Sequence, residues 1–504
     1  MEPFSKKEFL SLKMPTEEIP VSDRQRIALA LEALGYAPVT FPLSVLRKLY
    51  PLCRDANFDI TATLVHREFD WVVTDVEAGD TTAHHYGLAV DYGSTTVVMA
   101  LVDLRSGAVI AREVAVNGQV SYGADILTRI TYAMEGSGQR ADLQRATAHT
   151  FGQLLEHITE ASGIDAKSLP LMIVSGNTTM VHFLLGLDAW TVFAAPYAPV
   201  DADPGFFWGE ELGMDFAGVL YFLPAASNYV GGDIVSGLLT VDLHKSEQPS
   251  MFFDIGTNGE LVIGNKDWMI AGAGAAGPAL EGYISKFGMR AAPGAVDSVA
   301  ISGEELTYTT IGGQPPVGIC GSGIIDLLAQ MRINGWIDMA GNLNPEASNR
   351  ILFLPEENAY AAVYAYAEES PLYFSQTDIR QYLDTKAAAY TMVDSLLETA
   401  GIAPDALEKV YLSGAFAAHS DLESAITIGI FPDLPREKYN LIKNSSLDGA
   451  KALLLDRSRL EEAKALAQNI YCVQFASIPD FLVRMQAAKF IPHTDLSRFP
   501  SVAA

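Results

Sequence analysis

Two short segments place an aspartate, a glycine and a run of hydroxyl or amide residues where an apolar stretch ends. They are Asp91-Tyr92-Gly93-Ser94-Thr95-Thr96 and Asp254-Ile255-Gly256-Thr257-Asn258-Gly259-Glu260. A strand that runs into a glycine turn offers backbone N–H groups to a phosphate, and nearby hydroxyls add donors. A carboxylate at the strand end can hold Mg²⁺, usually through water, because hard cations take oxygen ligands. Each segment alone has a plainer reading: Asp91 can cap a hairpin turn, and Asn258-Gly259 is a type I′ hairpin signal that needs no ligand. Their recurrence favours chemistry, since two matching turns would grip a polyphosphate from both sides of a cleft. Asp91 and Asp254 are then the Mg²⁺ candidates, and Asp254 and Glu260 are candidate catalytic carboxylates.

Further residues fit around that core. Asn228-Tyr229-Val230-Gly231-Gly232-Asp233 sets a carboxylate after a glycine pair, so Asp233 is either a general base that orients water near a terminal phosphate or a helix-capping aspartate. Ser413-Gly414-Ala415-Phe416 ends an apolar run with a close-approach glycine, a natural place for nucleoside or α-phosphate. Gly272-Ala273-Gly274-Ala275-Ala276-Gly277 spells G-x-G-x-x-G, with Asp297 twenty residues beyond. A dinucleotide fold would need that acid at the end of a second strand, whereas Asp297 precedes Val299-Ala300-Ile301, so the segment reads as a loop lining the cleft. Cys320, in Gly318-Ile319-Cys320-Gly321-Ser322-Gly323, reads as a buried thiol in a glycine-rich turn, for want of an acid–base partner. His84, His85, His182 and His419 lack metal spacing and read as solvated or core residues.

The elements that must position these residues come twice. Gly87–Tyr92, Thr96–Asp103 and Ala108–Val116 are three apolar runs separated by turns, and Met251–Ile255, Glu260–Gly264 and Trp268–Gly272 repeat them. Leu171–Gly176 and Val410–Gly414 each read as a strand ending in Ser-Gly and opening a helix. A repeat on this scale points to duplicated halves facing each other across a cleft. We expect a small α+β domain over 1–86, a first half over 87–245 and a second half over 246–504 with an insertion near 302–376. Ser375 with Asp378 makes a capping box for a helix that runs to Gly401. Lys386 lies on its apolar face, as a stem that snorkels outward or as a nucleotide contact.

Composition narrows the partners. Acidic residues outnumber basic ones 61 to 34, a net charge of −27. Nucleic-acid and anionic-membrane binding both need a basic face and are not expected. Three cysteines (Cys53, Cys320 and Cys472) form neither a disulfide framework nor a four-thiolate zinc or iron–sulfur set. No apolar stretch approaches the ~18 residues of a membrane span, and a cytoplasmic location is expected.

Together these motifs resemble the two phosphate motifs and the adenosine motif of the acetate/sugar kinase, Hsp70 and actin superfamily. Gly87–Asp91, Val120-Ser121-Tyr122-Gly123-Ala124-Asp125-Ile126, Ser175-Gly176-Asn177-Thr178-Thr179-Met180, Asp254–Glu260, Gly318–Gly323 and Leu412–Phe416 are similar to one branch, the ATP-dependent reductive activators of corrinoid proteins. The resemblance covers about 87–460, and 1–86 resembles the linker domain that precedes that core. It implies duplicated actin/Hsp70-like (RNase H-like) α/β halves around a nucleotide cleft, with MgATP held by Asp91, Gly93, Ser94, Thr95, Thr96, Asp254, Gly256, Thr257, Asn258, Gly259, Ser413, Gly414 and Ala415. It also implies a corrinoid protein of a methyltransferase system as partner, reduced from Co(II) to Co(I). The loop 272–282 and Met289-Arg290-Ala291-Ala292 are candidates for the surface that meets it. Members of that branch carry a fused iron–sulfur domain, whereas no cluster-binding cysteine set exists here. A separate ferredoxin-like or other low-potential donor is therefore expected, and a homodimer is left open. Two rival readings use the same cleft: a small-molecule kinase with Asp233 as base, and a non-catalytic nucleotide-gated binding protein.

Overall fold

The computed structural model describes residues 2–256, 258–274, 282, 284–414 and 420–502. Thr257, Ala415, Phe416 and His419, and most of the loop 272–282, lie outside the described residues. The contacts group the chain into two units: 1–240 with 445–468, and 241–444 with 469–504.

The first unit opens with a four-stranded sheet of β1 (Ser5–Ser11), β2 (Val39–Thr40), β3 (Asp59–His66) and β4 (Trp71–Ala78), in the order β1-β3-β4-β2. Two helices, Asp23–Ala33 and Leu43–Asp55, close a small core around Ile27, Leu31, Leu49, Cys53, Ile60 and Leu64. Ser22 caps the first helix by accepting from the Gln25 amide, and Gly35 follows its end at a φ of 94°.

The second sheet of this unit holds β5 (Tyr86–Tyr92), β6 (Thr96–Asp103), β7 (Val109–Val116), β8 (Leu171–Gly176), β9 (Gly205–Trp208) and β10 (Val219–Phe222). Its order is β7-β6-β5-β8-β10-β9. The first three strands are an antiparallel meander; β8 runs parallel to β5, and β10 parallel to β8. Every residue of β8 is buried, as expected of an inner parallel strand covered on both faces, whereas the edge strand β7 alternates. Helix Ser137–Ser162 supplies Leu143, Phe151, Leu154 and Ile158 to one face, packing on Leu88, Val90 and Met99. Helices Gly232–Thr240 and Ser445–Leu455 pack along each other. A Cβ on Gly449 would lie 2.0 Å from the Ser236 carbonyl, so only glycine lets the two backbones approach this closely.

The second unit repeats the plan. Its main sheet contains β11 (Ser250–Ile255), β12 (Gly259–Gly264) and β13 (Met269–Gly274). Two small sheets follow: β14 (Ala295–Ser302), β15 (Glu305–Thr310) and β16 (Gly318–Ile319), then β17 (Ile351–Leu354), β18 (Ala359–Ala367) and β19 (Ser370–Ser375). The main sheet is completed by β20 (Val410–Ser413), β21 (Tyr439–Leu441) and β22 (Ile470–Cys472), in the order β21-β20-β11-β12-β13-β22. Here too a three-strand meander is extended by parallel strands from its first member, β20 on β11 and β21 on β20. The duplicated α/β halves expected from the sequence are therefore present in five strands of each sheet, the sixth differing: β9 is antiparallel to β10 at one edge, and β22 is parallel to β13 at the other.

The capping box forms as read: Ser375 accepts from the Asp378 amide, and Asp378 accepts from the Ser375 amide. Helix Gln376–Ala400 ends before Gly401 at a φ of 68°. Two readings need correction. Lys386 neither snorkels outward nor is placed on a nucleotide site. It is fully buried and donates to the carbonyls of Ala488, Phe490 and Pro492 at 2.5, 2.6 and 2.5 Å, tying the end of the chain to the helix. Nor is Asn258-Gly259 a two-residue type I′ turn. Ile255 pairs with Gly259, so the connection spans 256–258, and Gly259 is the first residue of β12.

Candidate nucleotide site

In each unit the candidate aspartate sits near the end of the first meander strand, beside a Ser-Gly pair from the parallel neighbour. Asp91 on β5 is in register with Ser175 on β8, and Asp254 on β11 with Ser413 on β20. The glycines repeat the same approach. A Cβ on Gly176 would meet the Tyr92 carbonyl at 2.9 Å, and one on Gly414 would meet the Ile255 carbonyl at 2.2 Å and Asp254 Oδ1 at 2.8 Å. Tyr92 and Ile255 each follow the aspartate by one residue, so the two halves agree down to single atoms. Gly414 also has a φ of 94°, which disfavours any side chain there.

The turns occupy corresponding places but differ in length, four residues lying between the paired Tyr92 and Val97 and three between the paired Ile255 and Gly259. Residues 93–95 connect β5 to β6, and the Gly93 amide donates to the Thr96 carbonyl at 3.0 Å. Residues 256–258 connect β11 to β12, and the Gly256 amide donates to the Asn258 carbonyl at 2.9 Å. A Cβ on Gly93 would lie 2.6 Å from the Thr96 carbonyl, so that glycine is required by the turn itself. Gly256 differs: a Cβ there would meet nothing within 4 Å. Among the described residues, nothing packs against the position a side chain would take there.

The acids are held unequally. Asp91 is half-buried, and its Oδ1 accepts from Ser446 Oγ at 2.8 Å. Ser446 Oγ lies 2.8 Å from Ser175 Oγ, which also reaches the Gly232 carbonyl at 3.2 Å, and Ser236 Oγ donates to the Ser446 carbonyl at 2.7 Å. The first turns of helices Gly232–Thr240 and Ser445–Leu455 thus meet at the ends of β5 and β8, where open α/β sheets collect ligands. Ser446 was not singled out from the sequence; its signal was a serine pair opening an apolar helix. Asp233 stands in the first turn of its helix, half-buried, with Oδ1 accepting from the Ile234 amide at 2.9 Å. Asp254 and Glu260 are directly opposed across β11 and β12, and Glu260 is 9% exposed. Carboxylate oxygens are the donor type that hard divalent cations take.

Cys320 and His182 resolve as structural residues. Cys320 is buried, its Sγ 3.4 Å from the Val296 carbonyl and 3.3 Å from Ser322 Oγ. His182 is buried, with Nδ1 2.7 Å from the Thr178 carbonyl and Nε2 accepting from the Val200 amide at 3.1 Å. Asp297 lies on β14 and accepts from Thr309 Oγ1 at 2.6 Å. Arg290 is half-buried beside Met289, whose amide donates to the Ile319 carbonyl at 2.9 Å. Among the described residues, no helix is long and apolar enough to cross a membrane.

Duplicated α/β halves, each with an Asp–Gly turn beside a Ser-Gly strand end, define a protein of the ASKHA type. The chain belongs to the RACo family: residues 1–83 match the RACo linker region, 86–246 the RACo middle region and 248–503 the C-terminal domain of RACo, the ASKHA domain. It is 31% identical to the corrinoid activation enzyme RamQ of Eubacterium limosum over 409 residues, 79% of this chain and 69% of that protein. It is 27% identical to the [Co(II) methylated amine-specific corrinoid protein] reductase of Methanosarcina barkeri over 269 residues, 49% of this chain and 46% of that protein. Among solved structures, a reductive activator for corrinoid, iron-sulfur protein superposes with a TM-score of 0.91 at 35% identity, covering 99% of this chain and 81% of that one.

Proposed function

We propose that this chain is an ATP-dependent reductive activator of a corrinoid protein, restoring Co(II) to Co(I) in a methyltransferase system. The observation that carries this reading is the pair of matching Asp–Gly turns in a chain that belongs to the RACo family throughout. Its 31% identity to a corrinoid activation enzyme supports the substrate class. Bound MgATP would supply the free energy of phosphoanhydride hydrolysis.

The residues have distinct tasks. Gly93, Ser94, Thr95 and Thr96 in the first half, and Gly256, Thr257, Asn258 and Gly259 in the second, would hold phosphates. Asp91 and Asp254 would hold Mg²⁺ through water, with Glu260 completing the acidic pair. Asp233, in the first turn of its helix, would orient the attacking water. Ser413, Gly414 and Ala415 would meet the nucleoside.

The cobalt step needs one electron. Co(II) on the partner accepts it and becomes Co(I), while a low-potential donor outside these 504 residues is oxidised by one electron. The donor we propose is a ferredoxin-like protein. What the chain contributes is differential binding: favouring one state of the corrinoid protein tenfold shifts a one-electron potential by about 59 mV.

The test is ADP release with and without a Co(II) corrinoid protein. We expect the partner to stimulate release, and Asp254→Asn and Asp91→Asn each to lower it about 100-fold or more, the scale of losing a transition-state electrostatic contact. Release that responds to a small metabolite and ignores the corrinoid protein would favour the kinase instead.

A further inference from the structure

Behind the first phosphate turn lies a buried cation that none of the roles above uses. Arg129, in helix Ile126–Met134, is fully buried. Its Nη1 donates to the Ser94 carbonyl at 2.6 Å and its Nε to the Gly123 carbonyl at 2.8 Å. Its Nη2 is buried and has no hydrogen-bond partner among the described residues. The Asp125 carboxylate, held by the Thr128 amide at 2.8 Å and the Thr128 hydroxyl at 2.9 Å, is a nearby negative charge that favours the guanidinium but makes no hydrogen bond to it. A guanidinium in a dry interior with carbonyl partners and a spare N–H remains costly, and further negative charge nearby would offset that cost.

The rest of the turn is oriented to bring such charge near. The Gly93 carbonyl accepts from Asn117 Nδ2 at 2.9 Å, and the Thr95 carbonyl from the Asn117 amide at 2.9 Å. With Arg129 on the Ser94 carbonyl, three successive carbonyls are drawn into the protein. In a trans peptide the next residue's N–H points opposite to the carbonyl. The amides of Ser94, Thr95 and Thr96 are therefore turned away from Asn117 and Arg129, the arrangement of backbone N–H groups that binds anions.

Resting on the nucleotide reading above, we propose that Arg129 is the positioning residue of the first phosphate turn: it fixes the Ser94 peptide from behind and sets the preference of the site for highly charged phosphate chains. Loss of the arginine then costs affinity in proportion to phosphate charge. A merely structural residue would weaken all nucleosides alike.

The experiment measures binding of ATP, ADP, AMP and adenosine by calorimetry with Mg²⁺, for the full chain and for Arg129→Met and Arg129→Lys. We expect Arg129→Met to weaken ATP about 10- to 100-fold, the range for a hydrogen bond to a charged group, ADP less, and adenosine hardly at all. Arg129→Lys keeps the charge and should retain the order ATP over ADP over AMP, at reduced affinity. If Arg129→Met does not fold, judged by thermal unfolding, Arg129→Gln takes its place, with the same expectation. An equal loss across the four compounds, or no loss in any, would overturn the proposal. A wild-type chain that binds none of them would reject the nucleotide site itself, and this role with it.

Discussion

At the scale of single residues, the site depends on pairs that are far apart in sequence. The Asp91 and Asp254 turns were legible because strand, glycine and acid are contiguous and the pattern occurs twice. Ser446 was not, since its partner Asp91 lies 355 residues earlier. His85 gives a residue-scale prediction. It is 7% exposed, and its Nε2 lies 2.9 Å from Ser5 Oγ. Burial chiefly, with Lys7 adding repulsion, pushes its pKa down to about 4. The unfolded chain therefore takes up a proton first as pH falls. The stability of the neutral buried ring is present above about pH 6.5 and is lost progressively toward pH 4. Urea unfolding of wild type should lose about 2–3 kcal/mol more than His85→Gln between pH 7 and pH 4.5. Parallel pH profiles would refute this.

At the scale of elements, strands, turns and caps were read closely, because alternation, glycine punctuation and a capping box are local signals. The exceptions show what local signals omit. Apolar spacing placed Lys386 on the inner face of its helix, but its carbonyl partners come 102 to 106 residues later. Lys386→Met should strand three buried carbonyls and cost about 1–3 kcal/mol or more, the scale of leaving buried polar groups unsatisfied. The Ile491 amide, which donates to the Met339 carbonyl, should then lose hydrogen-exchange protection before the rest of the second unit. Loss spread evenly over that unit would count against the tie. Strand-end glycines give a graded test. Gly414→Ala, with a positive φ and a 2.2 Å clash, should impair ATP turnover more than Gly176→Ala, with its 2.9 Å contact. Equal effects would mean that the second-half contact is not the stricter one.

At the scale of the whole molecule, duplication was the most informative feature. Each half has a three-strand meander, a parallel Ser-Gly strand and an acid at the join, and that repetition is what made two ambiguous turns worth reading together. Which electron donor would serve the reaction is not legible in the sequence, because recognising a redox partner leaves no short motif. The central claim is tested most directly by anaerobic visible spectroscopy of a Co(II) corrinoid protein. A low-potential reductant is present throughout, and the chain and MgATP are added separately and together. We expect the Co(I) spectrum only when both are present, and its loss with Asp254→Asn. Co(I) forming equally without ATP, or not at all with a bound corrinoid partner, would contradict ATP-dependent reductive activation.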